Sequence, residues 1–154
     1  MKLTIPECQV ETWKHIEKVR ELMRVFISKL TTRAFEHDKL KLENPEVETF
    51  AEYTPKLGET TYGSEEYNTY LQEMSVALKH HYANYRHHPE HFEKGINDMN
   101  LVDIVEMFCD WKAACSRQLD GNILKSIETN ANRFKISPQL KQILINTAKM
   151  YDEQ

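Results

Sequence analysis

The sequence has few of the residues that break or cross-link a chain: 154 residues include four glycines, five prolines and three cysteines. So few turn-forming residues favour a helix-rich fold. Cys8, Cys109 and Cys115 are odd in number and form no CxxC pair, which argues against a disulfide framework. We therefore expect reduced thiols in a cytosolic protein, with Cys109 buried in the apolar run Met107-Phe108-Cys109.

Long apolar runs and an excess of positive charge are also missing. No stretch approaches the roughly 20 apolar residues that span a bilayer. Residues 1–6 lack the apolar core of a signal peptide, so we expect no signal peptide and no membrane partner. The net charge of −4 argues against binding to duplex nucleic acid. It is compatible with a small phosphorylated substrate, because bound cations reverse the field locally.

The spacing of apolar residues predicts one all-helical domain over residues 1–154, with about six or seven helices. No segment alternates convincingly with period two. The expected elements are a helix from Pro6 to about Leu30, a second capped by Thr31-Thr32 and ended by Asn44-Pro45, a partly ordered connection to Gly63 with a helical turn or two in 46–53, and helices from Ser64 to about Tyr85, Leu101 to about Leu119, Ile123 to Phe134, and Pro138 onward.

Seven histidines, all between positions 15 and 91, are the most informative residues present. They include the dyad His37-Asp38 and the pairs His80-His81 and His87-His88. On one long helix, positions 80, 84, 87 and 91 share a face, and 81, 85 and 88 share the adjacent one. A solvated, histidine-rich helix end is the alternative. Imidazole and carboxylate together suit first-row divalent metals, whose bound water becomes a nucleophile near neutral pH. These residues predict a metal-dependent hydrolase.

Three acidic residues, Asp103, Glu106 and Asp110, follow at helical spacing. Such a stripe usually faces water, which we expect for Asp103. Asp110 is flanked by Phe108-Cys109 and Trp111, so we expect it to be buried. A buried carboxylate needs a partner, and a metal ion is one. We therefore predict Asp110 as the ligand.

The order His15, His37-Asp38, Asp110 resembles the HD-domain superfamily, which contains helical metal-dependent phosphohydrolases. The chain is more closely similar to a phage and bacterial branch with the motifs HD-x-S-K, HH-x5-HH and E-M-x-x-D-W. The corresponding segments here are 37–41, 80–88 and 106–111, over a resemblance that spans roughly residues 10–150. Leu40 stands where the branch has serine, so a role for that hydroxyl does not carry over.

The resemblance implies one or two divalent metal ions: Mn, Fe, Co, Ni or Zn, with Mg a further candidate. Asp38 would bridge two ions. The implied ligands are His15, His37, Asp38 and Asp110 for the first ion, and His81 and His88 for the second, with His80 or His87 as further candidates. On the expected helical phase, His87 instead faces the phosphate.

The leading hypothesis is a phosphohydrolase acting on a nucleotide or similar small phosphate ester, in the cytoplasm of a bacterium or a phage-infected host. His37, Asp38 and His87 would be catalytic, and Lys41, Asn84, Arg86 and His87 would contact substrate. For Lys41 and Arg86 a solvated surface charge is the alternative. A di-iron oxygenase and a non-catalytic protein stabilised by metal are the alternative functions. A homodimer is left open.

Overall fold

The structure, a computed structural model, describes residues 3–61, 63–117 and 121–152. Over these ranges the chain is helical and contains no strand, so the predicted all-helical class with six or seven helices is confirmed. The helices are α1 (Ile5–Glu36), α2 (Val47–Glu59), α3 (Glu65–Glu73), α4 (Ser75–Asn84), α5 (Leu101–Cys115), α6 (Ile123–Arg133) and α7 (Pro138–Asp152). None of the described helices combines the length and the apolar character needed to cross a membrane.

The chain divides into two compact units, Met1–Glu36 and His37–Gln154. The predicted single domain over 1–154 stays a prediction. The first unit is α1, one helix of 32 residues. The expected break at Thr31-Thr32 is wrong: both hydroxyls donate to carbonyls one turn back, Ile27 and Ser28, at 2.9 and 3.1 Å. Bonded in this way, a threonine continues a helix instead of capping a new one.

The second unit is more regular between residues 45 and 85 than the sequence suggests. Val47–Glu59 is a helix of 13 residues where a partly ordered connection is expected. Ser64 caps α3 as predicted, accepting from the Tyr67 N–H at 3.1 Å. The single helix predicted to reach Tyr85 is wrong, because the chain breaks at Met74 into α3 and α4.

The apolar core of the second unit lies where α5, α6 and α7 pack together. Its buried members are Phe108, Ile127, Ala131, Ile136, Leu144 and Ala148. Asn100 and Asp103 form a reciprocal capping box that starts α5, and Ser137 caps α7 as predicted. Helix α5 ends at Cys115, short of the predicted end at Leu119, which lies outside the described residues together with Asp120. Cys109 is exposed on α5, so its predicted burial is wrong.

Candidate metal centre

Two short turns hold the histidine-rich segments. The dyad His37-Asp38 begins the second unit in a turn, with Asp38 in the left-handed region at φ 55°, a conformation that aspartate tolerates better than most residues. A 3-10 turn over Lys39–Leu42 follows. The backbone N–H of Leu40 donates to the Tyr85 hydroxyl at 2.7 Å, which ties this turn to the end of α4.

The paired histidines do not share one helix, so the expected helical phase of His87, His88 and His91 is wrong. Helix α4 ends at Asn84, and the chain turns through an extended Tyr85 before His87 and His88. This turn directs the second pair back toward the end of α4, where His81 is buried. Consequently His81 and His88 approach each other with 2.9 Å between their Nε2 atoms.

Three groups of metal-ligating side chains form at this place, each with ligand atoms within 4.8 Å of one another. The clustering that the sequence predicts is therefore present. The groups are Asp38 with His81, His87 and His88; His37 with His87 and Glu106; and His37 with Asp38 and Asp110. Asp38 belongs to two groups. The geometry could hold a metal ion, and the identity and number of ions stay predictions.

Asp38 is the common point of these contacts. Its Oδ1 lies 3.2 Å from His81 Nε2 and 3.5 Å from His87 Nε2. Its Oδ2 lies 3.5 Å from His37 Nε2 and accepts from the Lys41 ammonium at 2.6 Å. His37 Nε2 is also 3.8 Å from Asp110 Oδ1. The Nε2 atoms of three imidazoles thus point toward carboxylate oxygens.

Two buried glutamates hold the opposite edges of these imidazoles. Glu46 accepts from Nδ1 of both His80 and His81, at 2.7 and 2.9 Å. Glu106 accepts from His37 Nδ1 at 3.0 Å. His87 Nδ1 lies 3.2 Å from the same Glu106 oxygen, without an aligned hydrogen bond. Carboxylates behind ligating histidines are typical of protein metal sites, because they fix the tautomer and orient the ring.

The sequence interpretation placed Glu106 on the same helical stripe as Asp110, but it gave neither Glu106 nor Glu46 a role behind the histidines. Glu46 carries no local signal: it lies 35 residues from His81, in a segment expected to be only partly ordered. Long-range pairing of this kind is visible only in the fold.

Several buried polar atoms of this cluster have no aligned hydrogen-bond partner in the part of the chain that the structure describes. Glu46 accepts the Nδ1 hydrogen of His81, so the Nε2 of His81, which faces Asp38, can serve as a metal ligand. Asp38 Oδ1 and His87 Nε2 are buried and have no aligned hydrogen-bond partner among the described residues. Buried polar atoms without partners are costly, and a cation between facing acceptors satisfies them together. The residues present therefore fit a bound metal ion.

Electrostatics favour the metal-binding protonation states of Asp38 and His88, whereas His37 must lose a proton to bind a metal below its raised pKa. Burial alone would raise the pKa of Asp38, but His81 and Lys41 outweigh it and hold that pKa well below its usual range. Burial, with the neighbouring His87 and His81, lowers the pKa of His88 to about 2, so His88 keeps a free lone pair. The hydrogen bond to Glu106 raises the pKa of His37 against the effect of burial, and Asp38 and Asp110 add to the rise.

Three further residues of the sequence analysis differ in how they relate to the three ligand groups. His15 lies exposed on α1 in the first unit and is in none of the three groups, so its ligand role stays a prediction. Asp110 is in one group but only partly buried, with 19 % of its side chain exposed. Asp103 is fully buried, against the expectation of a water-facing position, and the Arg86 guanidinium binds both its oxygens at 3.2 and 3.0 Å. Its burial therefore reflects an ion pair.

The predicted substrate contacts differ in how far they are already engaged. Lys41 is bound to Asp38, a member of two metal-ligating groups, and lies over the Phe50 ring, 4.8 Å from its centroid. The Asn84 amide donates to the His80 carbonyl at 2.8 Å at the end of α4. Arg86 pairs with Asp103 and also lies over the Phe92 ring, 4.7 Å from its centroid. Of these three residues Lys41 lies directly against the candidate metal centre, and the fourth predicted contact, His87, is itself a member of two of its groups.

Comparison with known proteins places the chain in a family. Residues 5–150 match the Family of unknown function (DUF5662). The chain belongs to DUF5662. This match covers all seven helices almost completely, and it includes every residue of the three metal-ligating groups. No curated protein and no solved structure matches the chain.

Proposed function

We propose that this DUF5662 protein is a metal-dependent phosphohydrolase acting on a nucleotide or a similar small phosphate ester. The observation that carries the proposal is the position of Asp38, which belongs to two metal-ligating groups and also pairs with Lys41. The resemblance to the HD-domain superfamily supports the same reaction class. The bacterial or phage-infected cytoplasm stays our prediction for its location.

A bound divalent metal supplies a water nucleophile near neutral pH and polarises the phosphoryl oxygen. Within the chain, Asp38, His81, His87 and His88 form the larger ligand group, and His37 and Asp110 complete the set around Asp38. Glu46 and Glu106 accept the Nδ1 hydrogens of His81 and His37, which leaves the Nε2 atoms to face inward.

Lys41 is the residue we assign to the substrate phosphate. Its ammonium lies 2.6 Å from Asp38 Oδ2, and 26 % of its side chain remains exposed. A preorganised cation at this point favours an anionic substrate because it stabilises charge without reorganisation. Arg86 is less suited, since contact with a phosphate would compete with its pair to the fully buried Asp103.

A di-iron oxygenase is the second candidate, because a carboxylate shared between two ligand groups suits a pair of ions. A protein that keeps a metal for stability alone is the third. The three candidate functions can be distinguished by the reactions that they catalyse or do not catalyse. The oxygenase would consume oxygen in an iron-dependent reaction, whereas the binding protein would hold metal and leave every phosphate ester intact.

The test is phosphate release from a panel of nucleotides and simple phosphate esters, with protein reconstituted separately with Mn, Fe, Co, Ni, Zn or Mg. We expect turnover that depends on the metal and is lost in the His37→Ala, Asp38→Ala double variant. Lys41→Gln should retain the metal and lower kcat/KM by roughly 10–100-fold, as expected for a lost hydrogen bond to a charged group. Lys39→Gln, on the same exposed turn, is the matched control. Metal uptake without phosphate release on any substrate would reject the proposal.

A further inference from the structure

Glu46 is a fully buried carboxylate that engages two neighbouring histidines at once. Its Oε1 accepts from His80 Nδ1 at 2.7 Å, and its Oε2 accepts from His81 Nδ1 at 2.9 Å. It occupies the N-cap position of α2, where the helix dipole favours a negative charge. Its backbone is fixed as well: the Glu46 carbonyl accepts from the Phe50 N–H at 3.0 Å.

We propose that Glu46 is a positioning residue of the metal centre: Glu46 sets the tautomer of His81 and directs His81 Nε2 toward Asp38. This proposal rests on the metal site of the proposed function. The rings of Phe50 and Tyr85 also contact His81, with centroids 5.7 and 4.7 Å away. Ring contacts restrict where the imidazole lies, but they do not decide which nitrogen carries the hydrogen. The Glu46 carboxylate accepts the Nδ1 hydrogen and so leaves Nε2 available to a metal ion.

The second histidine explains why a carboxylate is required here. A carboxylate accepts two hydrogen bonds through two equivalent oxygens, whereas glutamine has one acceptor oxygen and one donor amide. In the Glu46→Gln variant, one of the two imidazoles must therefore face an N–H and move its own hydrogen to Nε2. His80 is 39 % exposed and belongs to none of the three ligand groups, so its Nε2–H can face water. His81 is 1 % exposed, and in the proposed centre its Nε2 would bind the metal ion, so its hydrogen stays on Nδ1.

The experiment measures Co²⁺ affinity and imidazole tautomers in the full-length protein. Long-range ¹H–¹⁵N spectra report which nitrogen of each histidine carries the hydrogen. Glu46→Ala should weaken Co²⁺ binding on the order of 10–100-fold and alter the visible spectrum of the Co²⁺ protein. Glu46→Gln should lose much less affinity and show a changed tautomer at His80 with an unchanged tautomer at His81. Glu48→Ala, an exposed glutamate on the same helix, is the matched control and should bind like wild type.

Wild-type affinity and an unchanged Co²⁺ spectrum in Glu46→Ala would overturn the inference. If Glu46→Ala does not fold, the Glu46→Gln variant provides the test. Unchanged tautomers at both His80 and His81 would overturn the inference. A changed tautomer at His81 together with wild-type Co²⁺ affinity would overturn it equally. A wild-type protein that binds no Co²⁺ would reject the proposed function instead. In that case the spectra of the metal-free protein still test Glu46, because a wild-type His81 without a hydrogen on Nδ1 would overturn the inference.

Discussion

The second unit contains two regions that are held together by different forces. The core between α5, α6 and α7 is apolar, and its stability comes from surface removed from water, about 25 cal/mol per Å². The cluster around Asp38 instead buries imidazoles and carboxylates, whose lost hydration has to be compensated by hydrogen bonds or by a bound cation. Helix α5 serves both regions, since Phe108 is in the core and Glu106 is in the cluster. We therefore expect metal binding to affect the cluster more than the apolar core.

The largest effect should follow from removing the carboxylate of Asp38, which belongs to two of the three ligand groups. Asp38→Ala should lose bound metal and lower phosphate release by orders of magnitude, because His81 and His37 lose the oxygen that they face. The apolar core is built from α5, α6 and α7 and does not include this turn, so far-UV circular dichroism should remain helical. Elemental analysis and a hydrolysis assay measure the change.

Asp98→Ala is the matched control for this variant, since Asp98 is an exposed aspartate of the same unit and its carboxylate accepts a local backbone N–H, from Lys94 at 3.1 Å. Equal metal content in Asp38→Ala and wild type would show that Asp38 is not a ligand.

The opposite change disturbs the core and spares the cluster. Ile127 is completely buried on α6, and Ile127→Ala should destabilise the fold by about 2–5 kcal/mol through lost burial and a residual cavity. The metal content of the remaining folded protein should be unchanged, because no member of the three ligand groups lies on α6. Urea unfolding measures the free energy of unfolding, and elemental analysis measures the metal content. A decrease in both quantities would show that the two regions are coupled through α5.

Two aspartates of α5 sharpen the comparison within one helix. Asp103→Asn should destabilise the protein by about 1–3 kcal/mol, because it weakens the bidentate bond to Arg86, and should leave the metal bound. Asp110→Asn should do the reverse, with a stable fold and much lower activity, since Asp110 faces His37. Thermal unfolding and phosphate release separate the two outcomes. An inactive Asp103→Asn beside a fully active Asp110→Asn would mean that the wrong carboxylate was assigned.

The sequence predicts the apolar region much better than the polar one. Core residues such as Ile127 and Leu144 repeat at the helical period, and caps such as Ser64 and Ser137 are local signals. The dyad and the histidine pairs were also identified from type and spacing. Their arrangement was not, since it depends on the end of α4 at Asn84, after which the chain turns back on itself.

Burial of charge was the hardest feature to predict. Asp103 is buried because Arg86, 17 residues earlier, reaches its carboxylate, and Glu46 is buried because His80 and His81 lie behind it. Neither partner is near in sequence. An amphipathic pattern treats each charged residue as water-facing, so it misses a carboxylate whose charge is balanced by a distant partner.

The smallest effect concerns protons released when the cluster binds metal. The hydrogen bond from His37 to Glu106 raises the pKa of His37 above 6.5 in the metal-free protein, in spite of burial. A metal ligand must be neutral, so below that raised pKa binding should release a proton from His37. His88, with its pKa lowered to about 2, releases none. In the metal-free state the raised pKa stabilises the fold fully below pH 6.5, and this contribution is lost as the pH rises through the folded pKa.

Glu106→Gln tests this origin of the proton. Without the carboxylate the pKa of His37 should fall, so the pH range over which metal binding releases a proton should shift toward acid. At neutral pH the variant should therefore release fewer protons than wild type, by a measurable fraction of one proton. Titration calorimetry in buffers of different ionisation enthalpy counts these protons, and Glu93→Gln, an exposed glutamate of the same unit, is the control. If Glu106→Gln releases the same number of protons as wild type at every pH, the released proton does not come from His37. Metal binding to the cluster would then involve no competition between a proton and the metal ion for His37. The polar cluster would in that respect respond to pH no more than the apolar core does.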